Sequence, residues 1–208
     1  MPKPNYYYEK QILRSGFNLI AGVDEVGRGT LAGPVVAGVA IIDINDNIEQ
    51  ELINLGVNDS KALTAKKRTD LYNQLINITT DHSTGWASVK EIDKIGINPA
   101  IEVSITRAIK NLKIKPDHLL IDALKLDSLK YKQTSIIKGD TKSLLIASAS
   151  IIAKVERDKY MENLSIKYDM YEFKNNKGYG TKKHIAAIKE YGKSEYHRKS
   201  FKIKGLDY

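Results

Sequence analysis

The sequence predicts an α/β fold, a β-sheet with helices laid against it, and three observations carry that expectation. Apolar residues run through 19–23 and again through 35–42, on either side of a short segment of charge and glycine, the pattern of two buried strands that meet at one sheet edge. Segments 117–122, which contains the apolar run 119–121, and 133–137 read as further strands, interspersed with stretches whose apolar residues recur every three or four positions, so strands and helices alternate further along the chain. Finally, 208 residues with 42% hydrophobic content can bury a substantial core in one domain, or in one domain with an appendage.

Residues 5–16 are polar and tyrosine-rich and end on Arg14, Ser15 and Gly16, which predicts a short helix leading into the first strand. The strands at 19–23 and 35–42 follow, with Asp24, Glu25, Gly27, Arg28 and Gly29 where the first runs out. A polar loop is expected around 43–47. Thr64 has the chemistry of an N-cap, ahead of a helix whose Leu71, Leu75 and Ile76 recur at helical spacing. Residues 84–92 alternate well enough to predict a third strand, with Trp86 as a packing residue. Asn98 and Pro99 predict a cap followed by proline at the first helical position, and Ile101, Ile105, Ala108, Ile109 and Leu112 give that helix one apolar face. Past Pro116 come the strands at 117–122 and 133–137. Asp140, ahead of Thr141, Lys142 and Ser143, reads as the N-cap of a long apolar helix over 144–155, whose alanines allow close packing on the sheet.

The chain has no cysteine, which excludes disulfides, thiolate metal sites and a cysteine nucleophile. Its first ten residues lack the apolar core of a signal peptide, and the longest apolar run, 31–42, is broken by Gly33, Pro34 and Gly38. A soluble, cytoplasmic protein is expected. The net charge of +8 is concentrated: ten of the 33 Lys and Arg but only two of the 25 Asp and Glu lie between Lys174 and Lys204, leaving 23 of each sign elsewhere. Such a basic stretch suits a polyanion such as nucleic acid, or forms a solvated lysine face.

Adjacent carboxylates at a strand end repel each other and stay ionised only in full exposure or beside a cation, so Asp24 and Glu25 taken alone fit an acidic turn or a metal site. The string DEVGRG at 24–29, followed by LAGPVV at 31–36, resembles the signature of the type 2 ribonucleases H, specifically ribonuclease HII. The resemblance continues in family order through NDSK at 58–61, LLIDAL at 119–124, KGDTKS at 138–143, ASIIAKVERD at 149–158, KGYGT at 177–181 and HRKSF at 197–201. It implies a ribonuclease H-like mixed five-stranded sheet with helices on both faces. A catalytic domain over 1–170 would carry a basic helical extension, 171–208, packed on it.

By the same resemblance Asp140 joins Asp24, Glu25 and Asp122 as a fourth catalytic carboxylate, although its residues alone favour the cap reading. Four carboxylates without cysteine or clustered histidine make an all-oxygen site, suited to hard cations, and two divalent ions, Mg2+ or Mn2+, would sit roughly 4 Å apart. The implied activity is endonucleolytic hydrolysis of the RNA strand of RNA–DNA hybrids, and cleavage 5′ to a single ribonucleotide embedded in duplex DNA, leaving 3′-hydroxyl and 5′-phosphate ends. Gly27, Arg28 and Gly29 would bring backbone close to the 2′-hydroxyl that distinguishes RNA, with Arg28 as a phosphate clamp. Lys61 would lie close to the nucleic-acid or active-site side, Tyr179 would pack on the sugar, and His197, Arg198 and Ser200 would contact phosphates. Thr30 departs from the commonest family pattern, in which proline often follows GRG. A monomer with no obligate protein partner is expected. A non-catalytic hybrid-binding module and another metal-dependent phosphotransferase or phosphatase are the alternatives, disfavoured by the four carboxylates and by the basic segment respectively.

Overall fold

The structure, a computed structural model, describes residues 3–126 and 129–203, so residues 204–208 of the expected extension lie outside the described residues. Strands β1 (Ile20–Val26) and β2 (Val35–Ile41) form the antiparallel centre of a sheet, and every residue of β2 is buried. Strand β3 (Asp81–Ala87) adds to β2, while β4 (His118–Asp122) runs parallel to β1 and β5 (Lys132–Ile136) parallel to β4, giving the order β3-β2-β1-β4-β5.

Strand alternation sends the apolar residues to two cores. Ala21, Val23, Leu119 and Ile121 face helix α5 (Ile97–Asn111), whereas Ile20 and Leu120 face the long helix α6 (Leu144–Lys167). The sheet therefore carries helices on both faces. Helix α6 lies so close that a Cβ on Gly38 of β2 would stand 2.3 Å from the Ala149 carbonyl oxygen, and one on Gly22 2.2 Å from the Leu145 carbonyl carbon. Helices α1 (Tyr7–Arg14), α2 (Asp46–Leu55) and α3 (Ala65–Ile78) contribute to the α6-side core, with Thr64 capping α3 as expected.

Several element boundaries differ from the sequence reading. Helix α2 starts within the expected polar loop, because the Asn45 side chain accepts the Ile48 N–H and opens a helix. The expected third strand at 84–92 is β3, which ends at Ala87. There Ser88 and Glu91 close a reciprocal capping box that starts α4 (Val89–Ile95). Asn98 does not cap α5; Gly96 does, and Pro99 sits inside the first turn. Asp140 does not cap α6 either. It lies in a short 3-10 turn, Gly139–Thr141, and the cap is Ser143, whose hydroxyl accepts the Ile146 N–H. Helix α6 also continues twelve residues beyond 155, to Lys167.

The chain then passes through α7 (Phe173–Asn176) to α8 (Lys182–Tyr191). A separate apolar cluster of Met161, Tyr171, Phe173, Ala187 and Ile188 joins this segment to α6, and Ala32 of the β1–β2 connection belongs to it. Among the described residues no helix is long and apolar enough to cross a membrane.

Candidate active site

Strand register brings Asp24 and Asp122 together. Val23 is opposite Ile121 in the parallel pair, so the next residue of each strand is an aspartate, and both belong to the alternation that faces α6. The third carboxylate arrives from the other side of β4. After β5 the chain turns at Lys138, held at φ 56°, and the Gly139 N–H donates to Asp122 Oδ1 at 2.7 Å, which fixes the turn that carries Asp140. Asp24, Asp122 and Asp140 each present an oxygen, and these oxygens all lie within 4.8 Å of one another. Asp24 and Asp140 are only 4% exposed.

Such crowding has an electrostatic cost. Burial first, and then the charges of Glu25, Asp122 and Asp140, raise the Asp24 pKa well above the ordinary carboxylate value, although a hydrogen bond from Ser150 opposes the rise. Burial also raises Asp140, with Asp59 and Asp122 adding to the shift and Lys61 opposing it. The Lys61 ammonium is 3.4 Å from Asp140 Oδ2. Glu25 is raised by burial and by Asp122, partly offset by Arg28. Its carboxylate stands outside the set of three, because one step along β1 reverses the facing; its N–H donates to Asp24 Oδ1 at 2.8 Å.

Beside the carboxylates lies a groove of about 230 Å³, lined among others by Glu25, Gly27, Arg28, Gly29, Lys61 and Tyr179. Arg28 is exposed, with Nη2 donating to Asn98 Oδ1 at 3.1 Å and Nη1 3.9 Å from Glu25 Oε1. Tyr179 is 40% exposed, and the Lys154 ammonium is 5.6 Å from the centre of its ring. A Cβ built on Gly29 meets nothing within 4 Å, so the chain itself does not require glycine there.

Of the three HRKSF residues expected to contact phosphates, two are enclosed by the fold. His197 and Arg198 are buried, at 1% and 0% exposure. The Arg198 guanidinium is taken up by the carbonyls of Gly27, Arg28 and Gly33, and His197 Nε2 is 3.0 Å from His184 Nε2. Ser200 is exposed, and its hydroxyl donates to Asp93 Oδ1 at 2.7 Å. Conversely, Ser150, Lys154 and Arg157 reach the site or its loop although the sequence reading does not single them out. Their spacing of four and then three residues puts them on one face of α6, a signal that becomes usable once that helix is placed against the carboxylates.

The family model for ribonuclease HII matches residues 21–204. Ribonuclease HII of Caldicellulosiruptor bescii is 47% identical over 198 residues, which span 95% of this chain and 93% of that protein. Ribonuclease HII of Staphylococcus saprophyticus is 50% identical over 189 residues, 90% of this chain and 71% of that one. Among solved structures, ribonuclease H2 of Pyrococcus horikoshii OT3 superposes with a TM-score of 0.73 at 33% identity, covering 88% of this chain and 94% of the other. Ribonuclease HII of Archaeoglobus fulgidus, solved in complex with PCNA, gives a TM-score of 0.76 at 25% identity, covering 91% and 98%. With that match extending from the first strand through the basic C-terminal segment, the chain belongs to the ribonuclease HII family and is a ribonuclease H enzyme.

Proposed function

We propose that this enzyme hydrolyses the RNA strand of RNA–DNA hybrids, and that it also cuts 5′ to a single ribonucleotide in duplex DNA, leaving 3′-hydroxyl and 5′-phosphate ends. The observation that carries the reading is the convergence of Asp24, Asp122 and Asp140 next to a groove walled by the glycine loop and Tyr179. The donors fit divalent metal ions. They are all oxygen, and burial and neighbouring carboxylates make the ionised forms of Asp24 and Asp140 costly without a cation among them. Asp24, Asp122 and Asp140, with Glu25 alongside, would hold two such ions, Mg2+ or Mn2+, which when bound supply Lewis-acid stabilisation and an activated water for phosphodiester cleavage.

The chain's own residues bind and orient the substrate. The exposed Arg28 guanidinium is placed to clamp a phosphate, Lys61 supplies a positive charge beside Asp140, and the half-exposed Tyr179 ring offers a surface for a sugar. In this reading residues 1–170 form the catalytic unit, 171–208 supply Tyr179 and basic charge, and the enzyme works as a cytoplasmic monomer without an obligate partner.

The test uses end-labelled substrates, a long RNA–DNA hybrid and a DNA duplex with one ribonucleotide, each with Mg2+, with Mn2+ and with a chelator. Cleavage of both with either metal, 3′-hydroxyl products and no cleavage in chelator are expected. Metal-independent cleavage, or 3′-phosphate ends, would overturn the reading.

A further inference from the structure

Two arginines are buried behind the glycine loop, and both are fully enclosed. Burying a guanidinium is costly unless its N–H groups find acceptors. Here the acceptors come chiefly from the loop. Arg157 donates to Pro34 O at 2.9 Å, Ala32 O at 3.1 Å and Thr30 Oγ1 at 2.9 Å, and also to Lys177 O at 2.9 Å, just before the Tyr179 turn. Arg198 donates to Gly27 O at 2.6 Å, Arg28 O at 2.9 Å and, twice, to Gly33 O at 2.9 and 3.0 Å. The Thr30 hydroxyl joins the two, because it accepts from Arg157 and donates to Gly27 O at 3.1 Å, the same oxygen that Arg198 holds.

Peptide geometry turns this into a statement about the surface. A trans peptide points its N–H opposite to its C=O. With the Gly27 and Arg28 carbonyls drawn inward, the N–H groups of Arg28 and Gly29 are directed outward, and among the described residues no acceptor takes either. Gly27 permits the arrangement: it has φ 91°, and a Cβ there would stand 2.4 Å from Arg157 Nε.

We propose that Arg157 and Arg198 are positioning residues for substrate reading, that they orient the Arg28 and Gly29 amides as donors to an oxygen of the ribonucleotide, and that Thr30 is the joint between them. This rests on the reading of the groove given above and identifies what holds its donors. Arg157 also ties the loop to the turn that carries Tyr179, so loop and ring are presented as one body.

Replacing either arginine by alanine leaves a buried void, and loss of folding would then obscure the result. Thr30→Val keeps the side-chain shape and removes only the hydroxyl, and Thr30→Ser restores it. The measurement is the ratio of kcat/KM on the single-ribonucleotide duplex to kcat/KM on the long hybrid, for wild type and both variants. For Thr30→Val the ratio should fall roughly fivefold, the scale of one hydrogen bond, because a single ribonucleotide offers one register whereas a hybrid offers many. Thr30→Ser should restore it. An unchanged ratio in Thr30→Val, or a fall that serine does not rescue, would overturn the proposal. A wild type that fails to cut the single-ribonucleotide duplex would instead overturn the proposed junction activity, and this inference with it.

Discussion

Asp24 and Asp122 are far apart in sequence yet follow directly on paired residues of β1 and β4; the apolar runs before them predict the two strands, whereas their assignment to one site comes from the family resemblance, and β1 continues past Asp24 to Val26 instead of running out there. Asp140 is harder to place, since an aspartate before Thr141, Lys142 and Ser143 has the chemistry of a helix cap. A single 3-10 turn moves the cap to Ser143 and leaves the Asp140 carboxylate to the site. The two roles can be separated. Asp140→Asn should lower kcat/KM on the order of 100-fold, a metal-site effect, without lowering the melting temperature. Ser143→Ala should cost about 1 kcal/mol of stability or more. Asp24→Asn should also lose activity, and its stability should move the opposite way. Because the folded-state pKa of Asp24 lies above its ordinary 3.8, stability is full below that value and is lost as pH rises towards the folded pKa. Asparagine carries no such charge, so in chelator at about pH 8 the variant should melt higher than wild type, with the difference shrinking towards about pH 4. Added Mg2+ should raise the wild-type melting temperature and leave the variant's nearly unchanged. A variant that melts no higher in chelator would mean that the buried carboxylates are not in electrostatic conflict.

Among the elements, the strands and α3 are legible from periodicity, but α2 and the end of β3 are decided by caps that alternation conceals. Asn45 ahead of Ile48 and Leu52, and the Ser88–Glu91 box, are both written in the sequence, yet the second interrupts a run that keeps alternating through it. Packing between α1 and α6 is not legible at all, because Glu9 sits in a polar, tyrosine-rich helix that suggests a solvated face. In the fold Glu9 is fully buried, and one carboxylate oxygen accepts the Ser143 hydroxyl at 2.6 Å and the Leu145 N–H at 3.2 Å while the other has no hydrogen-bond partner among the described residues. Burial, only partly offset by those bonds, raises its pKa to about 7. The sign follows from that rise: stability is full below the unfolded value of 4.5 and is lost as pH climbs through about 7. Denaturant melts of wild type and Glu9→Gln across that window should therefore diverge, with glutamine abolishing a pH-dependent loss of up to about 3 kcal/mol. Parallel pH profiles for the two proteins would show that Glu9 is not the titrating group.

At the scale of the whole molecule, the basic C-terminal segment is both a structural and an electrostatic element. Sequence exposes only the second, because lysine and arginine read as solvated unless acceptors are known. Phe173, Ile188, His197 and Arg198 are in fact buried against α6 and the glycine loop, so deleting the segment would remove core along with charge. Point changes avoid that confusion. Lys174 and Lys182 are exposed, and changing both to glutamine should reduce the slope of log affinity against log salt by about 0.9 for each phosphate that they neutralise; an unchanged slope would place both outside the footprint. Tyr179 tests the joining of segment and sheet more directly. Its ring borders the same groove as Glu25 and the glycine loop, yet it comes from the far end of the chain. Tyr179→Ala removes a packing surface worth about 1–3 kcal/mol if it behaves like other aromatic contacts to nucleic acid, and leaves the carboxylates in place. On a single embedded ribonucleotide that surface has one sugar to hold, whereas on a long hybrid a poorly held register is replaced by its neighbour. The loss in kcat/KM should therefore be roughly tenfold greater on the first substrate than on the second at fixed metal and salt, the equivalent of about 1.4 kcal/mol of discrimination. An equal loss on both would assign Tyr179 to general binding and leave discrimination to the Arg28 and Gly29 amides.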